Sequence, residues 1–220
     1  MKLFNLIKKW FDNQENLFYL FLAILIVPNV VLCYTEPMPV VAKICNILLP
    51  LSIYYMVMTW SRNCGKVFWI LFPFIFFGAF QIVLLYLFGQ SIIAVDMFLN
   101  LVTTNSSEAL ELLDNLIPAI VIVVLLYVPA LILAMVSIVR KRKVSEVFIH
   151  RERKRARIVL AIGILSLGTA YLFDARYELK SDLYPANVCY NIALAVQRTT
   201  QTQNYPETSK DFSFHAKSNR

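Results

Sequence analysis

Charged residues are scarce in this 220-residue chain. Only 16% of the residues are Asp, Glu, Lys or Arg, whereas 59% are hydrophobic. Soluble domains average about 25% charged and about 45–50% apolar residues. The apolar excess is too large for a soluble core of this length, so the composition excludes an ordinary soluble domain and predicts an integral membrane protein.

Cysteine and histidine are also few, with four and two residues respectively. The cysteines Cys33, Cys45, Cys64 and Cys189 stand far apart, without a CxxC motif or a Cys/His cluster. This spacing argues against a zinc site within the chain. Cys33 and Cys45 fall near the same end of two adjacent apolar runs, where they form either a disulfide or two small apolar side chains.

The chain contains several long apolar runs. Five of them approach the roughly 20 residues that a membrane-spanning helix needs. They cover residues 17–34, 38–61, 67–88, 116–139 and 158–173. The sequence therefore predicts an all-α integral membrane fold with five transmembrane helices over 1–174. Residues 175–220 are predicted to form an interfacial helix near Val188–Val196, followed from Thr199 by a linker.

Lysine and arginine are unevenly distributed among the connections. They occur in the first nine residues, after the second run (Arg62, Lys66) and throughout Arg140–Arg157, three segments on one side of a five-span protein. That side is cytoplasmic by the positive-inside rule, so the N-terminus is cytoplasmic and the C-terminus external. Topology explains the basic run without a nucleic-acid partner, and contact with anionic lipid headgroups is compatible with it.

The connection between the third and fourth runs, residues 89–115, has no lysine or arginine and four acids. Within it, Asn100, Thr104 and Glu108 recur every four residues, which on a helix places them along one face. One interpretation is structural: interfacial helices in this loop, with Glu108 capping the second. The other is a lipid-headgroup site, in which Glu108 binds an ammonium and the amide and hydroxyl bind phosphate oxygens.

Two segments resemble the lipid A phosphoethanolamine transferases, membrane enzymes of Gram-negative bacteria related to sulfatases. The first is the external loop, and the second is the tail after the fifth run. The matching residues are Asp96-Met97-x-x-Asn100-x-x-x-Thr104-Asn105-x-x-Glu108-Ala109-x-Glu111-Leu112 in the loop, and Tyr184-Pro185-x-Asn187-Val188-x-Tyr190-Asn191 and Phe212-x-Phe214-x-Ala216 in the tail.

The resemblance implies five membrane helices in the bacterial inner membrane, with a periplasmic C-terminus leading to a catalytic domain. It implies that Asn100, Thr104 and Glu108 hold the phosphoethanolamine headgroup, that the donor is phosphatidylethanolamine and that the acceptor is lipid A. It also places a nucleophilic threonine and zinc in the catalytic domain. The chain has no Glu-Thr-x-Arg segment for that nucleophile, and His150 and His215 lie in no zinc-like cluster. Alone, the chain is expected to be inactive.

Three alternatives stay open at the level of sequence. One is the membrane domain of a related transferase of another headgroup, such as phosphoglycerol. Another is a small transporter or channel subunit, which would carry ionisable groups inside its spans; apart from Lys43, the spans offer only Asn29, Asn46 and Gln81. The third is a membrane scaffold without enzymatic activity.

Overall fold

The computed structural model describes the backbone of residues 9–88 and 106–208, and the side chains of residues 9–83 and 117–201. Within these ranges the chain forms helices and short connections, without strands, which confirms the predicted all-α class for this part. The helices are α1 (Gln14–Thr35), α2 (Val40–Met58), α3 (Cys64–Ile70), α4 (Phe72–Phe88), α5 (Ser106–Val139), α6 (Glu146–Phe173), α7 (Leu179–Asp182) and α8 (Ala186–Thr208).

Within the described residues, four helices are long and apolar enough to cross a membrane: α1, α2, residues Ile117–Val139 of α5, and α6. Helices α3 and α4 are bent by 62° relative to each other and supply a fifth candidate if they count as one span. Pro73, the second residue of α4, lies at this bend. It has no N–H to donate to the Trp69 carbonyl, so one helical hydrogen bond is missing there.

Helices α1, α3 and α6 begin before their apolar runs, and a polar side chain caps the first turn of each. Asn13 accepts a hydrogen bond from the Glu15 N–H at the start of α1, over 2.9 Å. Ser145 accepts one from the Phe148 N–H at the start of α6, over 3.1 Å. Helix α6 thus starts twelve residues before the predicted run at 158. Its basic first half stays helical because its buried positions follow the helical repeat: Phe148, Ile149, Glu152 and Ala156.

Helices α5 and α8 also extend beyond the predicted helical segments, into polar sequence. Helix α5 begins at Ser106 rather than 116 and continues without interruption into its apolar part. Helix α8 extends to Thr208, where a linker had been predicted from Thr199. The hydroxyl of Thr199 donates to the Ala195 carbonyl over 2.9 Å, so its polar group is satisfied inside the helix.

The core of the bundle lies between α1, α2, α3, α5 and α6, with its most extensive helix contact between α2 and α6. Phe21 and Phe68 stack in it with ring centroids 4.4 Å apart. Gly163 permits the close approach of α6 to α2. A Cβ atom there would lie 2.6 Å from the Ser52 hydroxyl and 3.2 Å from the Leu48 carbonyl oxygen.

The described connections gather at two ends of the bundle. At the basic end, Arg142 forms a 2.8 Å ion pair with Asp12, and the Val144 N–H donates to the Arg62 carbonyl over 2.9 Å. These contacts bring the segments before α1, after α2 and after α5 together, as the charge pattern predicted. At the opposite end lie the α1–α2 connection and the segment 174–188, which we call the docked segment.

Candidate functional site at the opposite end

The sequence-predicted triad lies outside the described side chains. Asn100 and Thr104 fall in residues 89–105, outside the described backbone, and Glu108 is the third residue of α5, with only its backbone described. The structure therefore places Glu108 in the first turn of a helix, where an acidic side chain is favoured by the helix dipole. The arrangement of the three side chains stays a prediction.

The docked segment is hydrogen-bonded to α2 through one fully buried amide. The Nδ2 atom of Asn46 donates to the Asp182 carbonyl over 2.6 Å, and its Oδ1 accepts from the Tyr177 hydroxyl over 2.8 Å. Burial raises the pKa of the Tyr177 phenol above its usual range, so this hydroxyl stays protonated and remains a donor. Asn46 therefore ties both sides of α7 to the bundle.

A second buried amide ties the docked segment to α1. Asn29 is fully buried, and its Nδ2 atom donates to the Tyr184 carbonyl over 2.8 Å. The Tyr184 hydroxyl in turn donates to the Phe74 carbonyl in α4. The docked segment is thus fastened to α1, α2 and α4. Asn29 and Asn46, which the sequence offered only as polar residues within spans, hold main-chain carbonyls of this segment.

A mixed-charge cavity of about 340 Å³ opens beside the docked segment, with Asp174, Arg176 and Asp182 in its lining. Partial burial raises the pKa of Asp182; the Glu178 N–H opposes this shift, and the nearby Asp174 and Glu178 carboxylates reinforce it. Arg176 forms no ion pair within the described ranges. A cavity with both signs of charge can accept a zwitterion that carries a phosphate and an ammonium group.

Further inside, several polar groups are buried without a partner among the described residues. They include both amide atoms of Gln81 and the hydroxyls of Tyr54 and Tyr127. The Tyr127 and Tyr184 hydroxyls lie 3.4 and 3.2 Å from the position that a Cβ on Gly78 would occupy, one helical turn before Gln81. Buried polar groups of this kind are usually met by water or a ligand. The only sequence signal for this interior was Gln81 itself.

A buried carboxylate at the basic end was also missed by sequence reasoning. Glu152 is fully buried; it accepts hydrogen bonds from the Tyr55 hydroxyl, from Arg151 over 2.8 Å and from Arg155 over 2.9 Å. It joins α6 to α2 and is fully paired, which indicates a structural role. In the sequence, only its position between Arg151 and Arg153 could have drawn attention to it.

The described residues contain no group of three or more His, Cys, Asp or Glu that could hold a metal ion. Cys33 and Cys45 are free thiols, and the Cys33 thiol donates to the Lys43 carbonyl over 3.3 Å. No family model, curated protein or solved structure matches this chain. Function is therefore inferred from the motif residues and from the geometry of this end of the bundle.

Proposed function

We propose that this chain is the multi-pass membrane domain of a phosphoethanolamine transferase of the bacterial inner membrane. In this role it anchors a catalytic domain on the periplasmic side and supplies part of the site for phosphatidylethanolamine, the donor to lipid A. The observation that carries the proposal is the docked segment, which Asn29 and Asn46 fasten to the end of the bundle that lacks the basic clusters. That end is external under the positive-inside rule.

The docked segment supports an anchoring role because of where it is and how it is held. Two fully buried side-chain amides bind its carbonyls, and leaving the buried Tyr184 carbonyl unpaired would cost about 1–3 kcal/mol. Helix α8 starts directly from this fixed segment, at Ala186. A domain that follows α8 would be held beside the bundle surface and beside any lipid bound there.

Charge favours an amine-containing headgroup at this end. Residues 89–115 contain four acids and no Lys or Arg. Glu108 would bind the ammonium group of phosphatidylethanolamine, and Asn100 and Thr104 would donate to its phosphate oxygens. The mixed-charge cavity lies at the same end of the bundle and supports a zwitterionic ligand. Transfer of the headgroup would be the work of zinc and a nucleophilic threonine in the catalytic domain.

The binding part of the proposal can be tested on the chain itself. We expect the chain, reconstituted in phosphatidylcholine nanodiscs with phosphatidylethanolamine, to retain phosphatidylethanolamine in preference to phosphatidylcholine, as counted by native mass spectrometry. Glu108→Ala should weaken this retention by at least about tenfold, because one charge-assisted hydrogen bond is worth about 1.5–3 kcal/mol. Glu111→Ala, in the same acidic loop but outside the four-residue repeat, should retain the lipid. Retention of phosphatidylglycerol that is lost in Glu108→Ala would instead favour a phosphoglycerol transferase.

The transfer part of the proposal requires the catalytic domain. In the intact enzyme, Glu108→Ala should sharply reduce the phosphoethanolamine added to lipid A, measured by mass spectrometry, while the membrane domain remains folded. Normal lipid A modification by this variant would remove Glu108 from the headgroup site.

A further inference from the structure

A second cavity, of about 760 Å³, opens at the basic end and is surrounded by cations from two separate parts of the chain. Arg62 and Lys66 come from the connection after α2 and from α3, and Lys141 and Lys143 come from the connection after α5. Ile138, in the last turn of α5, provides an apolar wall. The positive-inside rule accounts for basic residues at this end of the bundle, but it does not require that they converge on one cavity.

Hydrogen bonds join the two connections that frame this cavity. The buried Asn63 side chain donates to the Ser137 carbonyl over 3.1 Å and to the Arg142 carbonyl over 2.9 Å. Arg62 and Val144 are joined by two more hydrogen bonds, from the Val144 N–H and from the Arg62 Nε atom. The two cation-bearing connections are therefore fixed against each other before any ligand binds, which lowers the entropic cost of binding.

Neighbouring cations at this end divide into paired and unpaired ones. Arg62 is paired with Glu146, and Arg142 with Asp12. Lys66, Lys141 and Lys143 have no carboxylate partner in the described part of the chain, although all three line the cavity. Three of the lysines that line the cavity are therefore without an ion pair to the described residues.

Lys141 occupies a backbone position that would suit glycine. Its φ is 50°, in the left-handed region, at the turn that closes α5. There the Lys141 N–H donates to the Ile138 carbonyl and the Arg142 N–H donates to the Ser137 carbonyl, each over 3.0 Å. Helices usually end in this way with glycine. A lysine there is unfavourable for the turn but supplies the cavity with a cation.

We propose that this cavity binds the phosphodiester of an anionic phospholipid from the leaflet at the basic end. Three lysine ammonium groups and Arg62 match a phosphate in charge and in hydrogen-bond donors, and Ile138 offers a surface for the first carbons of the acyl region. Exposed Trp60 lies next to this connection, and tryptophan is common at the membrane interface. Basic cavities between helices on this side bind anionic headgroups in other membrane proteins. This proposal is independent of headgroup transfer at the opposite end.

The test uses the chain in phosphatidylcholine nanodiscs containing phosphatidylglycerol or cardiolipin, with retained lipid counted by native mass spectrometry. The variant Lys66→Gln/Lys141→Gly/Lys143→Gln removes the three unpaired charges and gives the turn its preferred residue. A charge-assisted hydrogen bond to the phosphate contributes about a tenfold change in affinity, so the triple variant should bind at least about a hundredfold more weakly. Unchanged helical circular dichroism and monodisperse elution verify its fold.

The matched control, Lys9→Gln/Arg140→Gln/Lys154→Gln, removes three exposed charges at the same end but outside the cavity. It should keep most of the retained anionic lipid. Equal loss of anionic lipid in both triple variants would show that only the overall positive charge of this end matters, and it would overturn the proposal. Full retention of anionic lipid in both variants would overturn it as well. Displacement of the lipid by millimolar inorganic phosphate would overturn the lipid assignment in favour of a soluble phosphate.

Discussion

Glu152 offers the sharpest test of how the bundle is held together. It is a fully buried carboxylate whose Oε1 accepts from Arg151 and Arg155, and whose Oε2 accepts from the Tyr55 hydroxyl. The two arginine side chains are 50% and 56% exposed, so water can partly replace their carboxylate. The substitution Glu152→Gln keeps the shape of the side chain and removes its charge.

The expected magnitude follows from these contacts. Hydrogen bonds to a charged group contribute about 1.5–3 kcal/mol and neutral ones about 0.5–1.5 kcal/mol, and half-exposed arginines regain part of the difference from water. We therefore expect Glu152→Gln to lower the free energy of unfolding by about 1–2 kcal/mol. Glu152→Ala should cost at least about 3 kcal/mol, because it adds a cavity and leaves the buried Tyr55 hydroxyl unpaired.

Thermal unfolding of the detergent-solubilised chain, followed by circular dichroism, measures these differences. At about 2–4 °C per kcal/mol, Glu152→Gln should lower Tm by about 2–8 °C. Glu146→Gln is the control: it breaks an ion pair with Arg62, but its side chain is 72% exposed and such pairs are worth about 0–1 kcal/mol. Glu152→Gln that is as stable as wild type, or Glu152→Ala no worse than Glu146→Gln, would refute the structural role of this network.

Three further predictions address packing, docking and orientation. Gly163→Ala should lower Tm because its Cβ would lie 2.6 Å from a side chain of α2, whereas Gly168→Ala, with nothing within 4 Å, should be neutral or stabilising by up to about 1 kcal/mol; similar Tm values for the two variants would contradict the α2–α6 contact. Asn46→Ala should speed amide hydrogen exchange across residues 174–188, since it leaves the buried Tyr177 hydroxyl and the partly buried Asp182 carbonyl without this partner, and unchanged exchange would show that the segment is held by other contacts. In a background without cysteine, Asn105→Cys should react with an impermeant maleimide in intact spheroplasts and Ser145→Cys only after permeabilisation; the reverse pattern would invert the orientation.

Sequence reasoning was most successful where one physical variable dominates. The apolar runs follow from the length of chain that crosses a bilayer, and the structure has four to five helices of that kind. The basic segments were grouped by charge alone, and the contact between Arg142 and Asp12 brings two of them together. The predicted helix boundaries were less accurate, because hydropathy does not detect helical segments that consist of polar residues. The first twelve residues of α6 are helical although they are strongly basic.

The candidate sites could not be assembled from periodicity, because their parts are distant in the chain. Asn46 and Asp182 are 136 residues apart, and Tyr55 and Glu152 are 97 residues apart. No spacing rule connects such pairs. Asn100, Thr104 and Glu108 were found because they are four residues apart, so a local rule was sufficient to group them. That grouping is still a prediction from sequence and resemblance.

By itself, then, the sequence determined the all-helical class, the candidate spans and the segregation of charge between connections, because hydropathy, length and charge are local properties. Tertiary structure decided which polar residues inside the bundle have partners. It assigned Asn29 and Asn46 to the docked segment, and Glu152 to a hydrogen-bond network that joins α2 and α6. It also gathered Lys66, Lys141 and Lys143 around one cavity. A buried polar group acquires its role from the group it meets, and only the packing of distant helices decides which group that is.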